Sequence, residues 1–348
     1  MIEDRKAEHI NIYMQQDVSS RHNFWDDVTL VHNAIPEINF DDIDTSVKLF
    51  GKKLNAPLIV SAITGGFKKA KDINENIARA CADAGIGMGV GSQRAGIMDE
   101  QLVRTYDIVK DYDAPLKIGN IGAPQLIRQK EHPALTIDDI KKAFEMIDAD
   151  IMAVHLNYLQ EVVQPEGDTD AAGVTEAIKK LTSKFKILAK ETGAGLSRKN
   201  IKTLKESGVA GIDVGGLSGT SFSAVEYFRA MNAGKSRKSA IGKLFREWGI
   251  PTPASVFYAG KDIPVIATGG IRNGLDAAKA ISIGANTAGM AGAIVKPALS
   301  SYKSVLNFVE NTKEELKTAM FLTGSGNIVE LENIEYIITG ELKPWFEL

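Results

Sequence analysis

From residue 56 onward, short apolar runs rich in Val, Ile and Ala alternate with amphipathic stretches of about a dozen residues, the rhythm of βα units. The runs lie at residues 57–64, 86–92, 116–121, 151–157, 185–191, 210–215, 263–269 and 287–292. Helices are expected between them over 72–84, 99–110, 137–147, 170–181, 198–207, 273–282 and 298–322, and Gly85, Gly208 and Gly284 are placed to close three of them. Eight such units in succession predict a TIM (β/α)8 barrel over residues 56–348. A doubly wound open sheet is the alternative, which eight consecutive parallel strands suit less well. Residues 1–55 are polar and irregular, with a helix through 8–14 and a hairpin from 46–50 to Leu54 turned by Gly51-Lys52-Lys53. They read as an N-terminal extension that partly plugs one end of the core. The rhythm breaks once, at 217–261, where Ser, Gly, Lys and Arg crowd 221–243 before a helix near 254–259. A long insertion after strand 6 lies where barrels place lids, although a solvated linker is the plainer reading.

Charge narrows the ligand classes. Lys and Arg number 41 against 44 Asp and Glu, so no basic field favours nucleic acid and any anionic ligand must be held locally. The single Cys81 falls on the apolar face of a predicted helix, which suits packing and excludes an intramolecular disulfide. The opening Met-Ile-Glu-Asp-Arg-Lys lacks an apolar targeting segment, and no run approaches the ~18–20 apolar residues of a membrane span. A soluble, cytoplasmic protein with no membrane partner is expected.

The densest polar convergence is at residues 151–161, where an apolar strand ends in His155, Asn157, Gln160 and Glu161. Strand alternation sends His155 and Asn157 to one face, as at the mouth of a parallel barrel. After the seventh run, Ala-Thr-Gly-Gly-Ile-Arg-Asn-Gly over 267–274 is followed by Ala-Gly-Met-Ala-Gly over 288–292. Gly269 and Gly270 admit a ligand close to the backbone, and the N–H groups after the eighth run complete a phosphate grip; tight-turn packing is the alternative. The first run ends in Ser-Ala-Ile-Thr-Gly-Gly, offering the Thr64 hydroxyl and backbone donors to a planar ring. Gly-Ile-Gly-Met-Gly-Val-Gly over 85–91 is no dinucleotide fingerprint, because it forms the second strand itself and its spacing is wrong. Ser92, Gln93 and Arg94 follow it at the barrel mouth.

Lys190 ends the fifth run, where a buried ammonium is costly unless an anion or electron-rich ring meets it, or unless the chain snorkels to the rim. Asn120 and Thr220 are further polar residues at or beyond strand ends. The cluster Arg5-Lys6-Ala-Glu-His9 lies outside the barrel pattern and on its own suits a solvated terminus. His22, His32 and His132 have no partner at metal-ligand spacing, and no Cys/His set suggests zinc. A hard cation such as Mg²⁺ would need oxygen ligands, for which Glu161 beside Gln160, with ligand phosphates, is the natural candidate.

Taken together, Arg5-Lys-x-Glu-His9, Thr64-Gly-Gly66, Ser92-Gln-Arg94, His155-x-Asn157-x-x-Gln160-Glu161, Asp213-Val-Gly-Gly216 with Thr220, and Gly269-Gly-x-Arg272 resemble type 2 isopentenyl-diphosphate isomerase. The resemblance runs in order from residue 5 to 292 and implies an FMN-dependent TIM barrel that interconverts isopentenyl and dimethylallyl diphosphate. It also implies reduced flavin, Mg²⁺ and NADPH or NADH as reductant, with no net redox change, in a homo-oligomer of four or eight subunits. Carried over by position, Ile63, Thr64, Gly65, Ser92, Asn120, Lys190, Thr220, Gly269, Gly270, Arg272, Ala291 and Gly292 should hold FMN. Arg5, Lys6, His9, Ser92, Gln93, Arg94, His155, Asn157 and Gln160 should surround the substrate, and Glu161 should bind Mg²⁺. His155, Asn157, Gln160 and Lys190 form the expected catalytic set, with the flavin itself as acid and base, His155 and Asn157 positioning the diphosphate, and Lys190 stabilising the reduced ring. Ser218 and Phe222 depart from the glycine and tryptophan that the resemblance would place there. Two alternatives remain at this level: an FMN barrel oxidoreductase, of the α-hydroxy-acid oxidase or IMP-dehydrogenase kind, and a flavin- or phosphate-binding barrel without catalysis.

Overall fold

A barrel strand packed on both faces needs a continuous apolar run, and each of the eight runs supplies one. In the computed structural model, which describes residues 2–347, they form β1 Leu58–Val60, β2 Gly87–Gly89, β3 Lys117–Gly122, β4 Ile151–Leu156, β5 Ile187–Glu191, β6 Gly211–Asp213, β7 Val265–Thr268 and β8 Thr287–Met290. Each pairs in parallel with the next, and β8 pairs with β1, so the sheet closes and the open-sheet alternative falls. The pleat divides the side chains. Ile59, Ile118, Ile151, Ala153, Leu188 and Ile266 share one apolar cluster, while Leu58, Val60, Met152, Val154, Ile187 and Ala189 pack in another that includes the surrounding helices.

The hairpin Val47–Leu49 and Lys52–Leu54 contributes Leu49 and Leu54 to the first of these clusters. Burying each such leucine contributes about 1.5–3 kcal/mol. Its turn is Phe50-Gly51, both at positive φ (52° and 89°), which is the two-residue geometry that matches strand twist. Lys52 and Lys53 therefore belong to the returning strand and not, as expected, to the turn.

Several helices depart from the expected spans for local reasons. The first runs over Ile2–Gln15, longer than the 8–14 expected. The stretch 99–110 is not one helix, because Asp99 is extended and its carboxylate accepts the Gln101 N–H, restarting the chain as short turns. The stretch 298–322 divides at Ser301, whose extended backbone and side chain cap the helix Tyr302–Leu322. Ahead of it, Gly292–Ser300 opens directly off β8. The polar insertion is not a loop: Ser221 caps a helix Phe222–Asn232, and Gly234 at φ 67° turns the chain into Ser236–Leu244. Ala224 and Val225 of that insertion pack with Ile12 and Val18 of the N-terminal segment. Among the described residues no helix is long and apolar enough to cross a membrane.

Candidate active site

Parallel register puts Gly122, His155, Lys190 and Asp213 in one row across β3 to β6. Asn120, two residues before Gly122, donates its amide N–H to Val90 O at 3.0 Å, which leaves its Oδ1 to accept from His155 Nδ1 at 2.8 Å. The imidazole is thereby held in one tautomer. Burial and the charges of Lys190, Lys6 and Arg5 push its pKa down to about 3, so the ring is neutral at physiological pH. Lys190 does not snorkel. Its Nζ donates to Asp213 Oδ2 at 2.8 Å with both side chains buried, while Asp213 Oδ1 is buried without a partner.

Beyond β4, Asn157 Nδ2 donates to Glu161 Oε1 at 2.8 Å, and the Asp168 N–H donates to Glu161 Oε2 at 2.8 Å. Burial raises the Glu161 carboxyl above its usual range, against these two hydrogen bonds. Asn157 Oδ1 is buried with no partner. Among the described residues no group of three His, Cys, Asp or Glu is arranged to hold a metal. A carboxylate beside an orphaned amide oxygen nonetheless suits a hard, oxygen-seeking cation whose remaining ligands are water and phosphate. Arg94 reaches this corner through Asp168, Nη1 to Oδ2 at 2.9 Å.

The N-terminal helix brings its cluster to the same mouth. Lys6 Nζ donates to Ser92 O and Tyr106 Oη, both at 2.7 Å, and burial together with Arg5 lowers its pKa to about 7. Ser92 Oγ is buried and unpartnered. His9 Nε2 lies 2.9 Å from Glu226 Oε1, which also accepts from Gln160 Nε2 at 3.0 Å, and Arg229 donates to Glu226 Oε2 at 2.8 Å. Glu226, wholly buried on the insertion helix, was not singled out by its sequence context, since nothing local marks a lone helical Glu as a hub. Burial pushes its carboxyl up, but His9, Arg229 and Gln160 outweigh this and hold it below the usual range. Phe222, where tryptophan was expected, meets the His9 ring edge-on at 6.4 Å.

Two expected contact residues are committed elsewhere. Gln93 is wholly buried; its Nε2 donates to Ala143 O at 2.7 Å and its Oε1 accepts from the Asn120 N–H at 2.9 Å, so it braces β3. Arg272 gives its guanidinium to Asp276 at 2.8 Å and Asp26 at 2.6 Å, beside the glycine loop.

At the phosphate grip, Gly269 and Gly270 have φ of 115° and 79°, and a β-carbon on Gly269 would stand 2.5 Å from Gly216 O. Ala291 precedes the helix Gly292–Ser300, and a β-carbon on Gly292 would stand 2.6 Å from Tyr13 Oη and 3.3 Å from Thr220 Oγ1. Just past β1, Ser61 Oγ lies 3.1 Å from Thr268 Oγ1, Ile63 is half-buried, Thr64 is buried, and Gly65 backs onto the Tyr106 ring. A cavity of only about 10 Å³ lies among these strands, lined by Ala62, Asn120, Lys190 and Asp213 together with the interior Ile59 and Ile118. Side-chain-free backbone for a phosphate and the unpartnered Ser92 hydroxyl at the strand ends fit FMN.

The closed parallel barrel with a glycine loop at its strand ends is the architecture of the α/β-barrel enzymes, and similarity to known proteins places the chain among the flavin-dependent ones. The family model described as FMN-dependent dehydrogenase matches residues 12–105 and 178–337. A mandelate oxidase variant with an FMN adduct superposes with a TM-score of 0.63, covering 96% of this chain and 92% of its own, and at 15% identity shows the shared fold. A flavocytochrome b2 variant gives a TM-score of 0.59 at 17% identity, covering 95% of this chain and 78% of its own. Among curated proteins, isopentenyl-diphosphate delta-isomerase of Thermoplasma acidophilum is 49% identical, covering 100% of this chain and 99% of the relative. That of Methanococcus maripaludis is 46% identical, covering 99% and 98%. The chain belongs to the isopentenyl-diphosphate delta-isomerase family.

Proposed function

We infer that the protein interconverts isopentenyl and dimethylallyl diphosphate in isoprenoid biosynthesis, using FMN reduced by NADPH or NADH, with Mg²⁺ at Glu161. The observation that carries this is the convergence of Arg5, Lys6 and Lys190 on a neutral His155, next to the Glu161 and Asn157 corner. Arg5, with Lys6 as an anion draws a proton onto it, makes a seat for a polyanion while Lys190 is balanced by Asp213, and the corner beside it accepts the cation that a diphosphate brings. Burial and the cationic groups beside it lower the His155 pKa, which disfavours it as the base that takes a proton from a hydroxy acid. The thiol that an IMP dehydrogenase would need is absent from the mouth, because Cys81 is buried in the helix Ala70–Ala84 with its pKa pushed up by burial.

Allylic transposition places a proton on the terminal carbon and removes one across the allylic unit, with no net oxidation. Reduced FMN supplies, when bound, an electron-rich face and a titratable nitrogen. The chain's own residues bind and exclude water. Lys6, Arg5 and Arg94 hold the diphosphate, His155, whose one N–H is given to Asn120 Oδ1, can only accept a hydrogen bond at Nε2 while it stays neutral, and Asn157 and Gln160 fix the wall. Asn120 and Lys190 stand at the ring end, with Ile63, Thr64, Gly65, Ser92, Thr220, Gly269, Gly270, Ala291 and Gly292 along the cofactor. Gln93 and Arg272 support these residues from behind. Residues 1–55 act as an extension of the barrel 56–348, in a cytoplasmic homo-oligomer of four or eight subunits.

With FMN, NADPH, Mg²⁺ and isopentenyl diphosphate in D₂O, anaerobic incubation is expected to give dimethylallyl diphosphate carrying deuterium, read by NMR. Absence of exchange with fully reduced flavin would defeat the assignment. Lys6 gives a second expected result. A bound diphosphate raises its pKa from about 7, so binding takes up a proton above that pH, and affinity falls as pH rises, by up to about tenfold per unit. Calorimetry in two buffers of different protonation heat measures the uptake; Lys6→Met should abolish it, and a wild-type protein that takes up no proton near pH ~8.5 would remove Lys6 from the diphosphate site.

A further inference from the structure

We propose that Trp25 and Asn23 set the phosphate grip by pinning two of its carbonyls from behind. Trp25 Nε1 donates to Gly269 O at 2.9 Å, and Asn23 Nδ2 donates to Gly270 O at 2.8 Å. In a trans peptide the C=O of one residue and the N–H of the next point opposite ways. Anchoring the Gly269 and Gly270 carbonyls to the N-terminal extension therefore turns the Gly270 and Ile271 N–H groups the other way. Among the described residues neither of these amides has an acceptor, which a bound phosphate would provide. The approach is kept clear: a β-carbon on Gly219 would stand 2.6 Å from the Gly270 nitrogen.

Glycines at φ 115° and 79° can rotate their peptides more freely than other residues, so an unanchored pair would present its donors only part of the time. The anchors are themselves held. Trp25 is wholly buried, Lys279 Nζ donates to Trp25 O at 2.8 Å, and Asn23 Oδ1 accepts from the Trp25 N–H at 3.2 Å. Arg272, joined to Asp26 at 2.6 Å, ties the same two segments together from the side, which explains why its guanidinium is spent on carboxylates. Trp25 and Asn23 are thus positioning residues for the cofactor's phosphate, and the assignment rests on the flavin reading of the site.

The test compares FMN with riboflavin, which carries the ring but no phosphate, by fluorescence titration of flavin-stripped full-length protein. Trp25→Phe removes the indole N–H and keeps an aromatic ring; Asn23→Ser keeps an N-cap acceptor and removes the amide donor. Each is expected to weaken FMN about three- to tenfold, the worth of one neutral hydrogen bond, with riboflavin affinity unchanged. Equal weakening of both flavins in both variants would show a merely structural role and overturn the proposal, as would unchanged FMN affinity in a folded Asn23→Ser protein. If Trp25→Phe fails to fold, Asn23→Ser alone decides. Wild-type protein that binds riboflavin and FMN equally would overturn the phosphate grip, whereas wild-type protein that binds neither would overturn the flavin reading itself.

Discussion

Replacing Lys190 by methionine is expected to lower stability by about 3–5 kcal/mol and to reduce isomerase turnover at least about a hundredfold, and the two losses should separate in a double variant. The stability loss comes from Asp213. Its Oδ2 accepts from Lys190 at 2.8 Å and its Oδ1 is buried without a partner, so removal of the ammonium leaves a carboxylate in the barrel with nothing to balance it. Adding Asp213→Asn removes that uncompensated charge and should restore most of the stability in denaturant unfolding. It should not restore turnover, because Lys190 also stands at the register position beside His155, at the strand ends over which the ring of the cofactor is proposed to lie. Recovery of turnover in the double variant would make Lys190 a structural partner only. A single variant that lost less than about 1 kcal/mol would instead mean that the pair is better solvated than its burial indicates.

How much of this was legible in the chain differs by kind of feature. The strands were, because a strand covered on both faces leaves an unbroken apolar run, and all eight runs contain one. The row His155, Lys190, Asp213 was legible as strand-end positions, but Asp213 as the anion facing Lys190 depends on register, which no single run states. The insertion after strand 6 was legible as such, but not its two helices, because they present Ser, Lys and Arg to solvent and composition alone cannot tell such a helix from a linker. Gln93 and Arg272 sit where expected. Gln93 gives its amide to Ala143 O and accepts from the Asn120 N–H, and Arg272 turns to Asp276 and to the distant Asp26, partners that, Asp276 apart, lie far away in sequence. Trp25 and Asn23 gave no signal, since an aromatic beside Asn in a polar extension is ordinary until the Gly269 and Gly270 carbonyls lie opposite.

Glu226 joins the extension to the site, and its removal should act at a distance. Three groups from three segments meet on its carboxylate: His9 of the N-terminal helix, Gln160 beyond β4, and Arg229 one turn along its own helix. Arg229 also grips Glu8 at 2.9 Å and Glu166 at 2.8 Å. Those partners are largely exposed, so screening leaves Glu226 as the firm attachment. Glu226→Ala takes the shared acceptor from His9 and Gln160 together and leaves the half of Ile2–Gln15 that carries Arg5 and Lys6 held by the bonds of Lys6 to Ser92 O and Tyr106 Oη and by the packing of Ala7 and Ile10 on the core. A misplacement of about 1 Å at a substrate-positioning group costs on the order of a hundredfold in rate, so kcat/KM for the diphosphate should fall at least that far. Amide exchange over residues 2–15 should quicken in the same protein while the barrel strands remain protected. Glu226→Gln, which keeps an acceptor but not the charge, should retain the slow exchange and recover part of the rate. Unchanged exchange in Glu226→Ala alongside a full loss of kcat/KM would assign Glu226 a direct part in the chemistry in place of the attachment argued for it.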